Sequence, residues 1–98
     1  MNINNFEINK EDQIGELEAG GIIEEVLDRA QIGLSSEMLG SALEAFDLTL
    51  EYLKERNQFG KPIGSFQALQ HRAAKMFSEI ELTKSSVMGA LNVVDENS

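Results

Sequence analysis

Arg56-Asn57-Gln58-Phe59-Gly60-Lys61-Pro62-Ile63-Gly64-Ser65-Phe66-Gln67-Ala68-Leu69-Gln70 is where one long helical pattern stops and a second begins. It holds the only proline of the chain and lies in a local reversal of charge sign. Lys54 and Arg56 come in the last turn of the first pattern, where cations complement the negative end of a helix dipole. Gly60 is placed to take the left-handed conformation that closes a helix, and Pro62 follows to prevent its continuation. Ser65 is placed to cap the second helix by accepting from the N–H of Gln67 or Ala68.

Upstream, apolar residues recur at spacings of three and four from about Ile22 to Asn57. One row runs Ile23, Leu27, Ala30, Leu34, Met38, Ser41, Ala45, Leu48, Tyr52; a second runs Ile32, Leu39, Ala42, Phe46, Leu50, Leu53. Together they cover more than half the circumference of a helix, which must then be buried on two sides. Gly33 and Gly40 interrupt the pattern, each costing about 1 kcal/mol relative to Ala. A continuous helix and a break near Gly33 are both open, and continuity is the expectation. Downstream, Phe66, Leu69, Ala73, Met76, Ile80, Thr83, Val87, Ala90 and Val94 predict a second helix from about Phe66 to Val94, with Phe77, Leu82, Met88 and Leu91 widening its stripe. The fold class is therefore all-α, a long antiparallel αα-hairpin. Two helices cannot cover a first helix that is apolar on two faces. About four are needed, so the hairpin is expected to complete a four-helix bundle, most simply by self-association.

Residues 1–20 form a polar leader. Phe6, Ile8 and Ile14 hint at a strand by alternation, Asn9-Lys10-Glu11-Asp12 looks like a turn, and Gly15 and Gly20-Gly21 punctuate the approach to the first helix. The reading is of a short irregular or strand-like segment.

Composition excludes several classes of function. The 98 residues bound one domain or part of one. With 42% hydrophobic and 26% charged residues, the chain is of globular type. It has no cysteine, which removes disulfides, thiolate metal sites and thiol catalysis, and the lone His71 disfavours a histidine metal site. No metal is expected. No apolar run approaches the ~20 residues of a membrane span, and the first residues lack a signal-peptide pattern, so a cytoplasmic location is the expectation. The net charge of -9 is carried by residues 1–50, whereas Lys54, Arg56, Lys61, Arg72 and Lys75 face only Glu55 across the corner. An acidic chain is a poor nucleic-acid binder, because phosphate contacts supply most of that affinity. A local basic patch suits a small phosphorylated ligand or simply a solvated surface.

The stretch Tyr52-Leu53-Lys54-Glu55-Arg56-Asn57-Gln58-Phe59-Gly60-Lys61-Pro62-Ile63-Gly64-Ser65-Phe66-Gln67-Ala68-Leu69-Gln70 resembles the acyl-CoA dehydrogenase family at its signature Y-x-x-x-R-x-Q-F-G-K-P-x-x-x-F-Q-x-x-Q. Leu39-Gly40 through Asp47-Leu48 looks like the helix before that signature in the family. Ala73-Ala74-Lys75-Met76 and Ile80-Glu81-Leu82-Thr83 look like the helix after it. The leader, with Gln13-Ile14-Gly15, resembles the exit from the family's middle β-domain. The resemblance implies a leader over 1–20 and a partial C-terminal helical domain over 21–98, taken from a flavoprotein of fatty acid metabolism that assembles as a homo-oligomer. By the same resemblance Arg56 holds the FAD pyrophosphate of a partner subunit, Phe59 packs against that cofactor and Gln67 contacts it. Asp28 falls where many members place an acid near the acyl-CoA, although the arginine that often follows three residues later is here Gln31. Each has a plainer alternative: a helix-dipole partner for Arg56, core packing for Phe59, a solvated first-turn residue for Gln67 and an exposed helix carboxylate for Asp28. No acid in these residues matches the family's catalytic glutamate, so no catalytic residue is assigned and the chain alone is expected to be inactive. The complete enzyme would use acyl-CoA and an electron-transfer flavoprotein. The alternative is a stand-alone helical oligomerisation module without a cofactor.

Overall fold

The computed structural model describes residues 4–15 and 20–96. Parts of the expected leader (1–3 and 16–19) and the last two residues of the polar tail lie outside the described residues. Two long helices dominate, α1 over Gly20–Glu55 and α2 over Gln67–Glu96. They run antiparallel and are joined by a hairpin of two two-residue strands, β1 (Asn57–Gln58) and β2 (Lys61–Pro62), then by a 3-10 turn at Ile63–Ser65. Gly33 and Gly40 are absorbed without a break, so α1 is continuous.

The leader is irregular, and the strand suggested by Phe6, Ile8 and Ile14 is absent among the described residues. All three side chains are exposed and no neighbouring strand is present to take their backbone groups. The expected turn does form: Lys10–Asp12 is a 3-10 turn, and the Asn9 N–H donates to the Asp12 carboxylate at 2.9 Å.

The helices meet along the second of the two apolar rows of α1. Leu39 (9% exposed) and Phe46 (6%) are buried against α2, where Val87 (8%) is their counterpart. Ile32, Leu43, Leu50 and Leu53 are half-buried in the same seam, as are Leu69, Ala73, Ile80 and Ala90 on α2. Phe46 and Phe77 approach with ring centroids 6.3 Å apart. The first row is uncovered: Ile23, Leu27, Leu34, Met38, Leu48 and Tyr52 are exposed. The molecule is consequently a rod of 73 × 32 × 17 Å with a radius of gyration of 22.8 Å. A compact chain of this length would have a radius near 13 Å.

Candidate functional site: the corner between the helices

The sharpest local geometry is at the corner. The Arg56 N–H still donates to the Tyr52 carbonyl at 2.9 Å, the last helical bond of α1. The chain then folds back with Asn57 opposite Pro62 and Gln58 opposite Lys61, and the Ile63 N–H donates to the Arg56 carbonyl at 2.8 Å. Pro62, which has no N–H to give, occupies a place in the ladder where none is demanded. Phe59 (φ 55) and Gly60 (φ 80) form the two-residue loop, and positive φ at both positions is the mark of a type I′ hairpin turn. Gly60 thus takes the left-handed conformation the sequence suggested, but as a hairpin residue and not as the closing residue of α1.

The I′ turn normally takes Asn-Gly or Asp-Gly. A phenylalanine in the left-handed region costs roughly 1–2 kcal/mol, and such strain clusters at ligand clamps. Phe59 is also 91% exposed, so within the described residues its edge contact with Phe66 is all that is set against the cost. Its ring meets Phe66 edge-on, with centroids 6.1 Å apart and an interplanar angle of 88°. Lys61 Nζ lies 4.3 Å over the Phe66 ring, a cation–π contact. The tip is thus an exposed aromatic ring backed by a second ring and a lysine.

A second anchoring contact holds the corner to α1. Gly64 lies so close to it that a Cβ at this position would stand 2.8 Å from the Leu53 carbonyl oxygen. The Gln70 side-chain amide donates to the Gly64 carbonyl at 3.0 Å, tying α2 to the same turn. Ser65 does not cap α2. Its hydroxyl donates to the Pro62 carbonyl at 2.7 Å, because the 3-10 turn brings that acceptor within reach first. Phe66 takes the capping position through its backbone, its carbonyl accepting from Leu69 and Gln70 at 3.0 and 3.1 Å.

Arg56, Phe59 and Gln67 are all placed at this corner. Arg56 lies one residue past α1, and its guanidinium has no hydrogen bond or ion pair among the described residues. Gln67 opens α2 and is exposed. The N–H groups that open a helix lack partners inside it and suit an anion. Asp28 is not brought to this group. It lies toward the other end of α1, roughly 40 Å away along the helix axis, in a shallow cleft with Glu25, Arg29, Val93 and Val94. The sequence places Lys61 in the basic patch without showing its stack on Phe66, and gives the close approach of Gly64 no signal. No group of histidines, cysteines and acids able to hold a metal ion occurs among the described residues.

The acyl-CoA dehydrogenase C-terminal domain model matches residues 20–98, which takes in both helices and the corner. The chain belongs to the acyl-CoA dehydrogenase family. It is 46% identical over 65 residues to acyl-CoA dehydrogenase IpdE2 of Mycobacterium tuberculosis, a match covering 66% of this chain and 20% of that protein. It is 41% identical over 69 residues to the mitochondrial short/branched chain specific acyl-CoA dehydrogenase of Rattus norvegicus, covering 70% of this chain and 16% of that one. It is 37% identical over 87 residues to subunit CarC of the caffeyl-CoA reductase-Etf complex of Acetobacterium woodii, covering 88% and 23%. The chain therefore spans about a fifth of the length of these relatives. No solved structure matches it. No helix among the described residues is long and apolar enough to cross a membrane.

Proposed function

We propose that this chain supplies one corner of the FAD site, and part of the subunit interface, of an acyl-CoA dehydrogenase. The observation that carries the reading is Phe59: a strained aromatic residue held almost wholly in solvent, three residues along the chain from an arginine whose guanidinium has no partner among the described residues. A ligand supplied from outside this chain would account for that arrangement. Arg56 would hold the pyrophosphate through bidentate hydrogen bonds, a geometry that lysine does not reproduce. Phe59 would cover the cofactor on its apolar side, and Gln67 would donate to it from the first turn of α2. FAD, when bound, supplies the two-electron acceptor for the Cα–Cβ bond of an acyl-CoA. The cofactor is held mainly by another subunit, and this chain orients one end of it.

The domain reading follows the same proposal, with a leader over 1–20 and a partial C-terminal helical domain over 21–98. In the complete enzyme acyl-CoA is the substrate class, and an electron-transfer flavoprotein is the proposed redox partner. The relative named as part of an Etf complex supports that partner. Because that relative is named a reductase, the Cα–Cβ bond is a candidate for redox chemistry in either direction. Asp28 is proposed as a contact for the substrate, remote from the FAD corner. The cytoplasm is the proposed compartment; two of the three relatives are bacterial, while the rat protein is mitochondrial by name.

Titration of FAD fluorescence tests the corner, with Arg56→Ala as the comparison. Binding that the substitution leaves unchanged removes Arg56 from the site. The chain alone is expected not to reduce a dye with FAD and a saturated acyl-CoA, and turnover above a heat-killed control would overturn that. The uncovered row of α1 favours a second reading, a helical association module without cofactor. It predicts stable oligomers with no FAD affinity. Under both readings the chain self-associates to complete a bundle.

A further inference from the structure

An exposed ring at a hairpin tip serves a ligand only if something fixes where it stands. Phe59 has φ 55 and is 91% exposed. A side chain so placed turns about its own bonds, and every orientation that cannot meet the ligand lowers the competent fraction and weakens the apparent affinity in proportion. Among the described residues, the ring contact that restrains Phe59 is its edge-on meeting with Phe66, with centroids 6.1 Å apart at 88°.

Phe66 is suited to be the fixed member of that pair. It is half-buried, and its backbone is bonded on both sides. Its N–H donates to the Ile63 carbonyl at 3.1 Å, and its carbonyl accepts from Leu69 and Gln70. The turn just before it is set against Leu53 through Gly64. These contacts hold the Phe66 backbone and leave the rotation of its ring to be settled by neighbours. Lys61 is such a neighbour. The ladder places it opposite Gln58, and its ammonium lies 4.3 Å from the centroid of the Phe66 ring. A cation over an aromatic face is held by the ring quadrupole, and at an exposed site this favours the stacked arrangement by about two- to fivefold.

The simpler role for Lys61 is a second cation for the pyrophosphate, since it belongs to the basic corner. The stack argues against it. An ammonium engaged with a ring must leave that ring to reach a phosphate, and leaving it frees the ring that Phe59 stands against. Arg56 faces no such exchange, because its guanidinium has no hydrogen bond or ion pair among the described residues.

We propose that Lys61 is a positioning residue for Phe59. Stacked on Phe66, it fixes the ring against which Phe59 stands, and it acts on the cofactor through those two rings and not through its own charge. The proposal rests on the FAD reading above and adds what holds the exposed ring in place.

Two substitutions at position 61 separate stem from charge. Lys61→Met keeps an apolar stem and removes the cation, whereas Lys61→Arg keeps a cation for the ring. Phe66→Leu, alone and combined with Lys61→Met, removes the ring through which the lysine is argued to act. FAD fluorescence titrations of all of these, at low and at high salt, give the functional readout. Lys61→Met is expected to weaken FAD binding about two- to fivefold, by the same ratio at both salt concentrations, and Lys61→Arg to restore it. In the Phe66→Leu background Lys61→Met should have no further effect. A loss that persists in that background and shrinks as salt screens it would make Lys61 a direct phosphate contact and overturn the positioning role. Unchanged binding in Lys61→Met would overturn it as well. Proton NMR of the chain without FAD reads the stack itself: the Lys61 methylene next to the ammonium should be shifted upfield by the Phe66 ring, and Phe66→Leu should abolish the shift. Absence of the shift in the parent would remove the stack while leaving Arg56 and the FAD reading standing. A parent chain that shows the shift and binds no FAD would overturn the FAD reading, and the role of Lys61 toward the cofactor with it.

Discussion

Gly64→Ala isolates the contact that sets the angle of the corner. The added Cβ would stand 2.8 Å from the Leu53 carbonyl oxygen, 3.2 Å from its carbon and 3.4 Å from the Leu53 Cβ. The first of these is about half an ångström inside ordinary contact, and the obstructing atom is backbone at the end of α1. No rotamer change relieves it, so the 3-10 turn must move off the helix and carry Gln70 and its 3.0 Å bond with it. Overpacking of this kind costs about 1–3 kcal/mol. Alanine also restricts the unfolded chain, which offsets about 0.4–1 kcal/mol of that. The net expectation is a loss of about 1–2 kcal/mol, large enough to lower the melting temperature by several degrees for a domain of this size. Urea titration followed by far-UV circular dichroism measures it. The protein concentration must be held fixed, because association would make stability concentration-dependent. Two other glycines separate the causes. Gly40→Ala meets nothing within 4 Å in a helix interior and should gain about 0.5–1 kcal/mol. Gly60→Ala also meets nothing but has φ +80, so it should lose about 1 kcal/mol through backbone strain alone. A Gly64→Ala protein as stable as the parent, alongside the expected losses at Gly60, would refute the close-approach argument.

Phe59→Gly removes the left-handed strain at a side chain that buries almost nothing, so the hairpin should gain up to about 1 kcal/mol while FAD affinity falls; a loss of stability by the same urea titration would mean that the Phe66 contact outweighs the strain. Arg56→Lys should weaken FAD binding nearly as much as Arg56→Ala, by roughly 10–100-fold for one charge-assisted hydrogen-bonded grip, and full retention by lysine in a fluorescence titration would argue for a simple charge effect. Phe46→Ala empties the middle of the seam and should cost about 3 kcal/mol, at the low end for Phe truncation because the neighbouring groove lets the site relax; a cost near zero would show that α1 and α2 are not held together there.

The helices were legible because their apolar rows keep three-and-four spacing over many turns, a signal strong enough to carry α1 through Gly33 and Gly40. The corner was legible in position and composition but not in mechanism. A two-residue I′ hairpin is usually announced by Asn-Gly or Asp-Gly, and Phe59-Gly60 hides that signal behind a residue type that rarely accepts positive φ. Ser65 failed as a cap for a reason that sequence does not carry: whether its hydroxyl accepts from Gln67 or donates to Pro62 depends on the 3-10 turn between them. The role of Gly64 is non-local, set by Leu53 on another element. The leader misled because alternation in Phe6, Ile8 and Ile14 describes only half of a strand, and the other half is a neighbour to pair with. The two rows of α1 were readable as two buried sides, but only the packing of the fold distinguishes the row that faces α2 from the row left open.

The two features least suited to an isolated chain have the same physical form. Phe59 carries backbone strain with only an edge contact to Phe66 set against it, and the row centred on Met38 exposes apolar area that neither helix covers. A sequence under selection for the stability of a lone hairpin would remove both cheaply, with a glycine or asparagine at position 59 and polar residues along the row, since neither change disturbs Leu39, Phe46 or Val87. Their presence therefore points to something outside the single hairpin that stabilises them. They also call for different things: an exposed ring in a basic corner matches a small anionic ligand with an apolar part, whereas a groove of satisfied hydroxyls and methyl groups matches another helix.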